Sequence, residues 1–475
     1  MTADLVAITP ELLVGGLGIV LLVIDLVTGP DEKRLVGWVG IAGLVVALFP
    51  SIALLSGAPR LVFSETYAVD PFAAFFKVLA ITSGVLVLLA AMEFYRGRAT
   101  RYQGEVYSLV VFMVLGLMLM AAAADLILLF LAIEFVSLVS YVLAGSLKSD
   151  RKSNEAGVKY FFYGAAASAM MLYGFTFLYG ASGTTNLYRL AQHVALLSPG
   201  FLGLAVMLVL AGLGFKISFV PFHQWTPDVY EGAPTPVTAF LSVGSKAAAF
   251  AALLRVFYVA IPPQGWVAII AGLAAISMTL GNLVALSQQN IKRMLAYSSI
   301  SHAGVLLTGL VAFGLDPEGP GRTAVLFYLA AYGVTTLGSF GLVSWIGSRE
   351  HERVLVDDWA GLASRHPAAA LGMTLFLLSL AGMPPTAGFF GKFIVFQSAM
   401  QVPDNQLLWL VVIGVLNSVL SIFYYLRIVM AMYFREPLGE FKPLRSGGVT
   451  FALVTCALLV LQMGLMPSMW LGMAD

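Results

Sequence analysis

Charge is what this chain lacks most. Of its 475 residues only 11% are charged and 60% are hydrophobic, whereas a soluble chain carries about a quarter charged residues. The mean hydropathy is +0.91. There is no charged domain, no Pro/Ser linker and no low-complexity tract. Those absences exclude a soluble protein and indicate a polytopic membrane protein. Cysteine is almost missing too. Cys456 stands alone in an apolar run, which excludes an internal disulfide, a thiolate metal cluster and a CxxC redox pair. No GxGxxG or P-loop occurs in a strand–helix setting, and no cysteine set exists for iron–sulfur ligation. The chain thus shows no energy source of its own. A net charge of +1 gives no reason to expect nucleic acid as a partner. The opening MTADLVAITPELLVGG carries Asp4 and Glu11 but no basic n-region, so it reads as a first span, not a cleaved signal peptide.

What is present is a series of apolar runs. A spanning helix needs about 20 mostly apolar residues. That rule predicts an all-α bundle of fourteen spans, approximately 5–27, 35–55, 72–92, 107–124, 126–147, 156–180, 201–222, 236–258, 266–288, 294–314, 323–347, 368–399, 407–434 and 448–471. The joint near Asp125 is the shortest. Orientation follows from lysine and arginine. Loops after odd-numbered spans hold sixteen of them, loops after even-numbered spans hold four (Arg60, Arg189, Arg255 and Arg322), and both tails hold none. Odd loops are therefore expected on the cytoplasmic side, with both termini outside.

Six cations are left within spans: Lys77, Lys159, Lys216, Lys246, Lys392 and Arg427. Snorkelling, in which a long side chain lifts its charge to the nearer interface, suits Lys159, Arg427 and Lys77. It does not suit Lys246, whose helix opens near Pro236 and places it about 15 Å deep in a ~30 Å hydrocarbon layer. Glu134 lies near the centre of its span, and Lys216 and Lys392 lie deep beside helix interruptions. One central charge costs about 2.5–3.5 kcal/mol, so four left dry and unpaired would cost on the order of 10 kcal/mol. Such groups usually face the bundle interior or a water-filled cavity and mark an ion or proton path. Structural ion pairing is the competing reading.

The interruptions share a pattern. GLGFKISFVPFHQWTPDVYEGAPTPV, Gly212–Val237, has Lys216 followed by Pro221 and Pro227. LSLAGMPPTAGFFGKF, Leu378–Phe393, has two prolines followed by Lys392. A plain proline kink accounts for the bend but not for the lysine. The two lie five spans apart. That spacing predicts inverted five-helix repeats with discontinuous helices 7 and 12, a transporter signature. The division is 1–106 (helices 1–3), 107–258 (helices 4–8), 266–434 (helices 9–13) and 448–471 (helix 14). Helix 10 adds AYSSISHAG, Ala296–Gly304. His302 there is near mid-membrane, and histidine titrates near neutrality, although a lone core histidine is commonly just hydrogen-bonded. His223, within the first interruption, is a weaker relay candidate.

These stretches carry a resemblance. FVPFHQWTPDVYEGAPTPVTAFLSVGSKAAAFA, NIKRMLAYSSISHAG and LSLAGMPPTAGFFGKF resemble the antiporter-like membrane subunits of respiratory complex I, the proton-pumping NADH:quinone oxidoreductase, over most of helices 4–13. Three features resemble the subunit N group in particular: the VYEGAPTPVTAF wording, a lysine on helix 12, and no long C-terminal lateral helix. The resemblance implies that Glu134 pairs with Lys216, that Lys246 links two half-channels through His302, and that Lys392 serves the exit half. It also implies partners, namely the neighbouring subunit M and small membrane subunits, with lipid around them. FMN, iron–sulfur clusters and quinone would then belong to partner subunits, and this chain would hold no cofactor or metal. The alternatives are a subunit of a multi-part sodium/proton antiporter without a redox partner, a stand-alone metabolite carrier, and purely structural charge pairs.

Overall fold

The computed structural model describes residues 2–29, 32–96, 103–194, 197–347, 352–441, 443, 444 and 446–472. Among them, thirteen helices are long and apolar enough to cross a membrane. They are α1 (Thr9–Val27), α2 (Lys33–Ala53), α3 (Pro71–Arg96), α4 (Gln103–Ala122), α5 (Leu126–Ala144), α6 (Arg151–Ser182) and α7 (Pro199–Ile217). After these come α8 (Thr235–Ala260), α9 (Val267–Ser287), α10 (Ile291–Leu315), α11 (Gly321–Ile346), α13 (Leu408–Phe434) and α14 (Gly447–Leu465). Where the sequence predicts a twelfth span there are two 15-residue helices, α12a (Pro367–Ala381) and α12b (Ala387–Gln401).

Local chemistry explains the abrupt joints. Between α4 and α5 the Asp125 carboxylate accepts from the amides of Ile127 and Leu128, capping α5, and the Thr185 hydroxyl donates to its other oxygen at 2.5 Å. α12a stops at Gly382, whose φ of +83° closes the helix through bonds to Leu378 and Ser379. α8 is not uniform. Residues 241–245, immediately before Lys246, form a π-helical turn, and a second covers 256–260.

Two compact units are present. One comprises Met1–Leu88, Arg101–Ser218 and Gly244–Ile269; the other comprises Leu89–Thr100, Phe219–Val243 and Ile270–Asp475. In the first, α4 packs on α1, α2 and α5, and α6 packs along α7. This unit also holds a departure from the all-helical expectation: strands β1 (Arg60–Val62) and β2 (Tyr67–Val69), which pair antiparallel with Leu61 opposite Ala68. The Thr66 carbonyl accepts from Ala124 N at 2.9 Å. In the second unit α11 is central, packed by α10, α12a, α12b and α14. There α9 and α10 cross so closely that a Cβ on Gly304 would lie 2.6 Å from the Ala274 carbonyl oxygen. Helices in a membrane lack a hydrophobic drive toward each other and rely on such close backbone approach.

Burial differs widely among the helices. The most apolar windows of α8 and α10 are 100% and 94% buried, against 28% for α1 and 22% for α2. Two cations depart from the sequence reading. Lys77 does not snorkel: it is fully buried, and its Nζ lies 2.9 Å from Glu11 Oε1 of α1 and 5.3 Å from the Tyr67 ring. Arg255 is no loop cation. It is buried within α8, held by both oxygens of Asp70 at 2.9 and 3.0 Å, with Tyr188 and the Ala121 carbonyl as further acceptors. Lys159 is partly exposed and pairs with Glu155, and Arg427 donates to the carbonyls of Leu286 and Gln288.

Removing one partner of a buried pair strands the other charge, at about 3–5 kcal/mol, whereas replacing both by apolar groups is often neutral. Lys77→Met is therefore expected to lower the thermal stability of the purified assembly strongly, and Lys77→Met with Glu11→Leu to recover most of the loss. Thermal unfolding followed by intrinsic fluorescence measures both. Equal losses in single and double variants would show that the pairing is not what holds α1 to α3.

Candidate functional site

The first unit holds Glu134, Lys216 and Lys246. Glu134 on α5 accepts a short hydrogen bond from the Ser168 hydroxyl of α6. Lys216, in the last turn of α7, is 2% exposed, and its Nζ has no hydrogen-bond partner. It lies instead over aromatic faces, 5.2 Å from the Tyr160 ring centroid, 5.6 Å from that of Tyr141 and 5.5 Å from that of Phe215. Such faces attract a cation through the ring quadrupole, and more strongly when desolvated. No hydrogen bond or ion pair joins Glu134 to Lys216, so the pairing implied by the resemblance is not made as a direct contact here. The groups that could connect them were not singled out from the sequence. Tyr141 sits seven residues after Glu134 on α5, two turns along the same face, and its ring packs edge-on against Tyr160 at 4.9 Å. That spacing was a readable signal.

Lys246 begins the second α-helical part of α8, Lys246–Arg255, directly after its π turn and is 1% exposed. Such bulges are frequent at functional sites. The Ser245 hydroxyl beside it is buried and faces the Tyr160 hydroxyl.

The second unit holds His223, His302 and Lys392. The break after α7 runs through residues 218–225 and is followed by a short helix, Thr226–Gly232. The amide of Val220 donates to Ser277 of α9 at 3.0 Å, and His223 is half-buried within the turn. Beyond the break the charged groups are paired. Arg293 holds Asp228 and Glu231 at 2.7 and 3.0 Å. Lys292, counted from the sequence as a loop cation, is 1% exposed and bonds Glu352 and the Ala233 carbonyl at 2.9 and 2.7 Å.

His302 on α10 sits in a run of tyrosines. Its Nδ1 is 2.5 Å from Tyr328 Oη, its Nε2 is 3.2 Å from Tyr425 Oη, and Tyr425 in turn bonds Ser298. Beside this run the Tyr424 hydroxyl donates to Asn282 Oδ1 at 2.8 Å, and Asn282 bonds Asn417. Of the serines near His302, Ser298 is linked to it through Tyr425, and the tyrosines come from α11 and α13. Nothing in the spacing of one sequence indicates them.

Lys392 is seated at the second break. From the second turn of α12b its Nζ reaches back to donate to the carbonyls of Leu380 and Ala381, at 2.9 and 3.1 Å. Those carbonyls are left open because α12a ends there. The two halves are also joined by Ser379, whose hydroxyl accepts from Gly388 N at 3.1 Å and bonds Thr335 of α11 at 3.0 Å. Among the described residues no group of three or more His, Cys, Asp or Glu could hold a metal ion.

Known proteins are similar to this chain in sequence and in fold. The family described as NADH:quinone oxidoreductase/Mrp antiporter, TM, matches residues 123–421. "NADH-quinone oxidoreductase subunit N 2" of Chloroherpeton thalassium is 44% identical over 443 residues, covering 90% of this chain and 85% of that protein. "NADH-quinone oxidoreductase subunit N" of Trichlorobacter lovleyi is 42% identical over 480 residues, covering 100% and 97%. A chain of respiratory complex I from Thermus thermophilus superposes with a TM-score of 0.83 at 34% identity, over 98% of this chain and 99% of that one. A chain of the Mrp complex from Dietzia sp. gives 0.84 at 22% identity, over 100% and 96%, a likeness of fold alone. The chain therefore belongs to the NADH:quinone oxidoreductase/Mrp antiporter family of membrane subunits, among the relatives named subunit N.

Proposed function

We propose that this chain is the proton-translocating subunit N of a respiratory NADH:quinone oxidoreductase in a bacterial inner membrane, and that Glu134, Lys216, Lys246, His302 and Lys392 carry the proton. The observation that carries this reading is the Lys392 amine on the open carbonyls of a broken helix. A seat of two carbonyls serves an ammonium and a neutral amine alike, since both have at least two N–H donors. Lys216 is likewise held by ring faces instead of a fixed carboxylate. Neither seat locks the proton in place.

In the first unit the movable charge is Glu134. A carboxylate that leaves Ser168 for Lys216 holds the proton on the amine; one that returns lets it go on toward Lys246. The signal for that exchange comes from the quinone-reducing part of the complex. In the second unit His302 contacts a tyrosine hydroxyl at each ring nitrogen, so it accepts a proton at one nitrogen while releasing another, and Lys392 serves the exit half. Helices 4–8 and 9–13 act as inverted repeats carrying these two half-channels. Each charge moved across the membrane costs about 2.3 kcal/mol per 100 mV, and FMN, iron–sulfur clusters and quinone in partner subunits provide the redox work. Subunit M and the small membrane subunits are the expected neighbours. Odd-numbered loops face the cytoplasm and both termini the outside; of the cations behind that orientation, Arg98, Arg101, Arg349, Lys442 and Arg445 lie outside the described residues. A multi-part sodium/proton antiporter is the competing reading, and sodium-dependent exchange by reconstituted protein without copurifying quinone reductase would favour it.

Two substitutions test the relay. Lys246→Ala in the assembled complex is expected to lower NADH-driven proton pumping in vesicles at least about tenfold, while the amount of assembled complex stays unchanged. Near-normal pumping removes Lys246 from the path. Glu134→Gln keeps an acceptor for Ser168 but no charge for Lys216, so coupled quinone reduction is expected to fall sharply, with partial recovery in Glu134→Asp. Wild-type coupled activity in Glu134→Gln would end the carboxylate-switch mechanism.

A further inference from the structure

A cavity of about 700 Å³ lies in the second unit between α11, α12a and α14, away from every relay residue. Its lining is sorted by polarity. At one end are Arg365, His366 and Trp345; at the other, Leu342, Phe376 and Leu453. The slot opens at the surface, since Arg365 and Val454 are both exposed. Arg365 pairs with no carboxylate among the described residues, whereas Arg293, Arg435 and Lys292 each have one. The His366 ring packs edge-on against Trp345 at 5.5 Å, which fixes the mouth.

Dimensions and chemistry then point the same way. From Pro367 to Phe376 α12a climbs about 14 Å, and from Gly447 to Ala457 α14 climbs about 15 Å, which is half of a ~30 Å hydrocarbon layer. Trp345 stands where amphipathic aromatics mark the water interface. An unpaired guanidinium at that level, above an apolar slot one leaflet deep, complements a molecule with an anionic head and a hydrocarbon tail. We propose that the slot is a binding site for an anionic glycerophospholipid, its phosphate on Arg365 beside His366 and one acyl chain running along Leu342, Phe376 and Leu453. The inference is independent of which face is cytoplasmic and of the proton path.

Phosphatidylglycerol bearing a diazirine near the end of one acyl chain, at low mole fraction in phosphatidylcholine vesicles containing the whole complex, tests it. After irradiation, mass spectrometry is expected to place the label on the α14 peptide around Leu453–Ala457. Unlabelled phosphatidylglycerol should compete it away. Arg365→Ala should reduce labelling about fivefold, and Ala457→Phe, which fills the slot, should displace it. Equal labelling by a phosphatidylcholine analogue means ordinary annular lipid and overturns the proposal. So does undiminished labelling in Arg365→Ala, or an unlabelled α14 peptide because a neighbouring subunit covers the slot. Should Ala457→Phe fail to assemble, the competition and Arg365→Ala still decide.

Discussion

The structure depends on one constraint: in hydrocarbon every backbone N–H and C=O must find a partner inside the protein or in water held by it. A helix that runs uninterrupted meets this by itself. A helix broken at membrane depth does not, and the break survives only if something donates to the open carbonyls. Lys392 does so for α12a. The lysine and the break are thus mutually required. Without the break the amine has no acceptors at that depth, and without the amine two carbonyls face apolar neighbours. The same logic makes Ser379 structural to the site, because its hydroxyl satisfies the Gly388 amide in the first turn of α12b and ties it to α11.

The buried cations fall into two kinds. Lys77, Arg255 and Lys292 sit against carboxylates, those of Glu11, Asp70 and Glu352. There the pair is stable only with the proton on the base, and loss of that proton would leave a buried anion without a partner. Lys216 and Lys392 directly contact groups of no net charge, rings in one case and peptide carbonyls in the other. Glu134 still acts on Lys216 electrostatically but without a direct bond, and for Lys392 a neutral amine leaves no bonded anion behind. Under the proposed function depth alone does not suit a lysine to carry a proton; the charge of what it faces also counts. Lys77 is as buried as Lys216 or Lys246 and yet faces a carboxylate.

That distinction also marks how far one sequence reads. The long apolar helices, both breaks and the deep amines of Lys216, Lys246 and Lys392 were legible, because each is a local conflict between an apolar run and a residue that does not belong in it. Asp125 looked like a weak joint and is a strong one, since a capping side chain ends a helix in a single residue. What escaped was pairing across distance. Glu11 and Lys77 are 66 positions apart and Asp70 and Arg255 are 185 apart, so Lys77 passed for a snorkelling residue and Arg255 for a loop charge. The tyrosines around His302 escaped for the same reason: Tyr328 and Tyr425 come from two other helices. The π turn before Lys246 has no composition cue at all.

The two breaks arrive at one electrostatic arrangement by opposite orders of residues. In α7 the lysine precedes the interruption and belongs to the helix that ends there. In α12 it follows the interruption and reaches back over eleven and twelve residues to the end of the preceding helix. Either way a lysine is tied to a helix C-terminus, where the partial charge of the macrodipole is negative and favours a cation by a few tenths to about 1 kcal/mol. That is enough to bias a proton's position and too little to trap it, since one charge crossing against 100 mV is worth about 2.3 kcal/mol. A carboxylate in the same place would exceed that bias and hold the proton. A broken helix with no lysine would offer nothing to carry one. The pairing of a weak, fixed dipole with a basic side chain is what lets an apolar bundle keep deep charges whose protonation a signal from elsewhere can change.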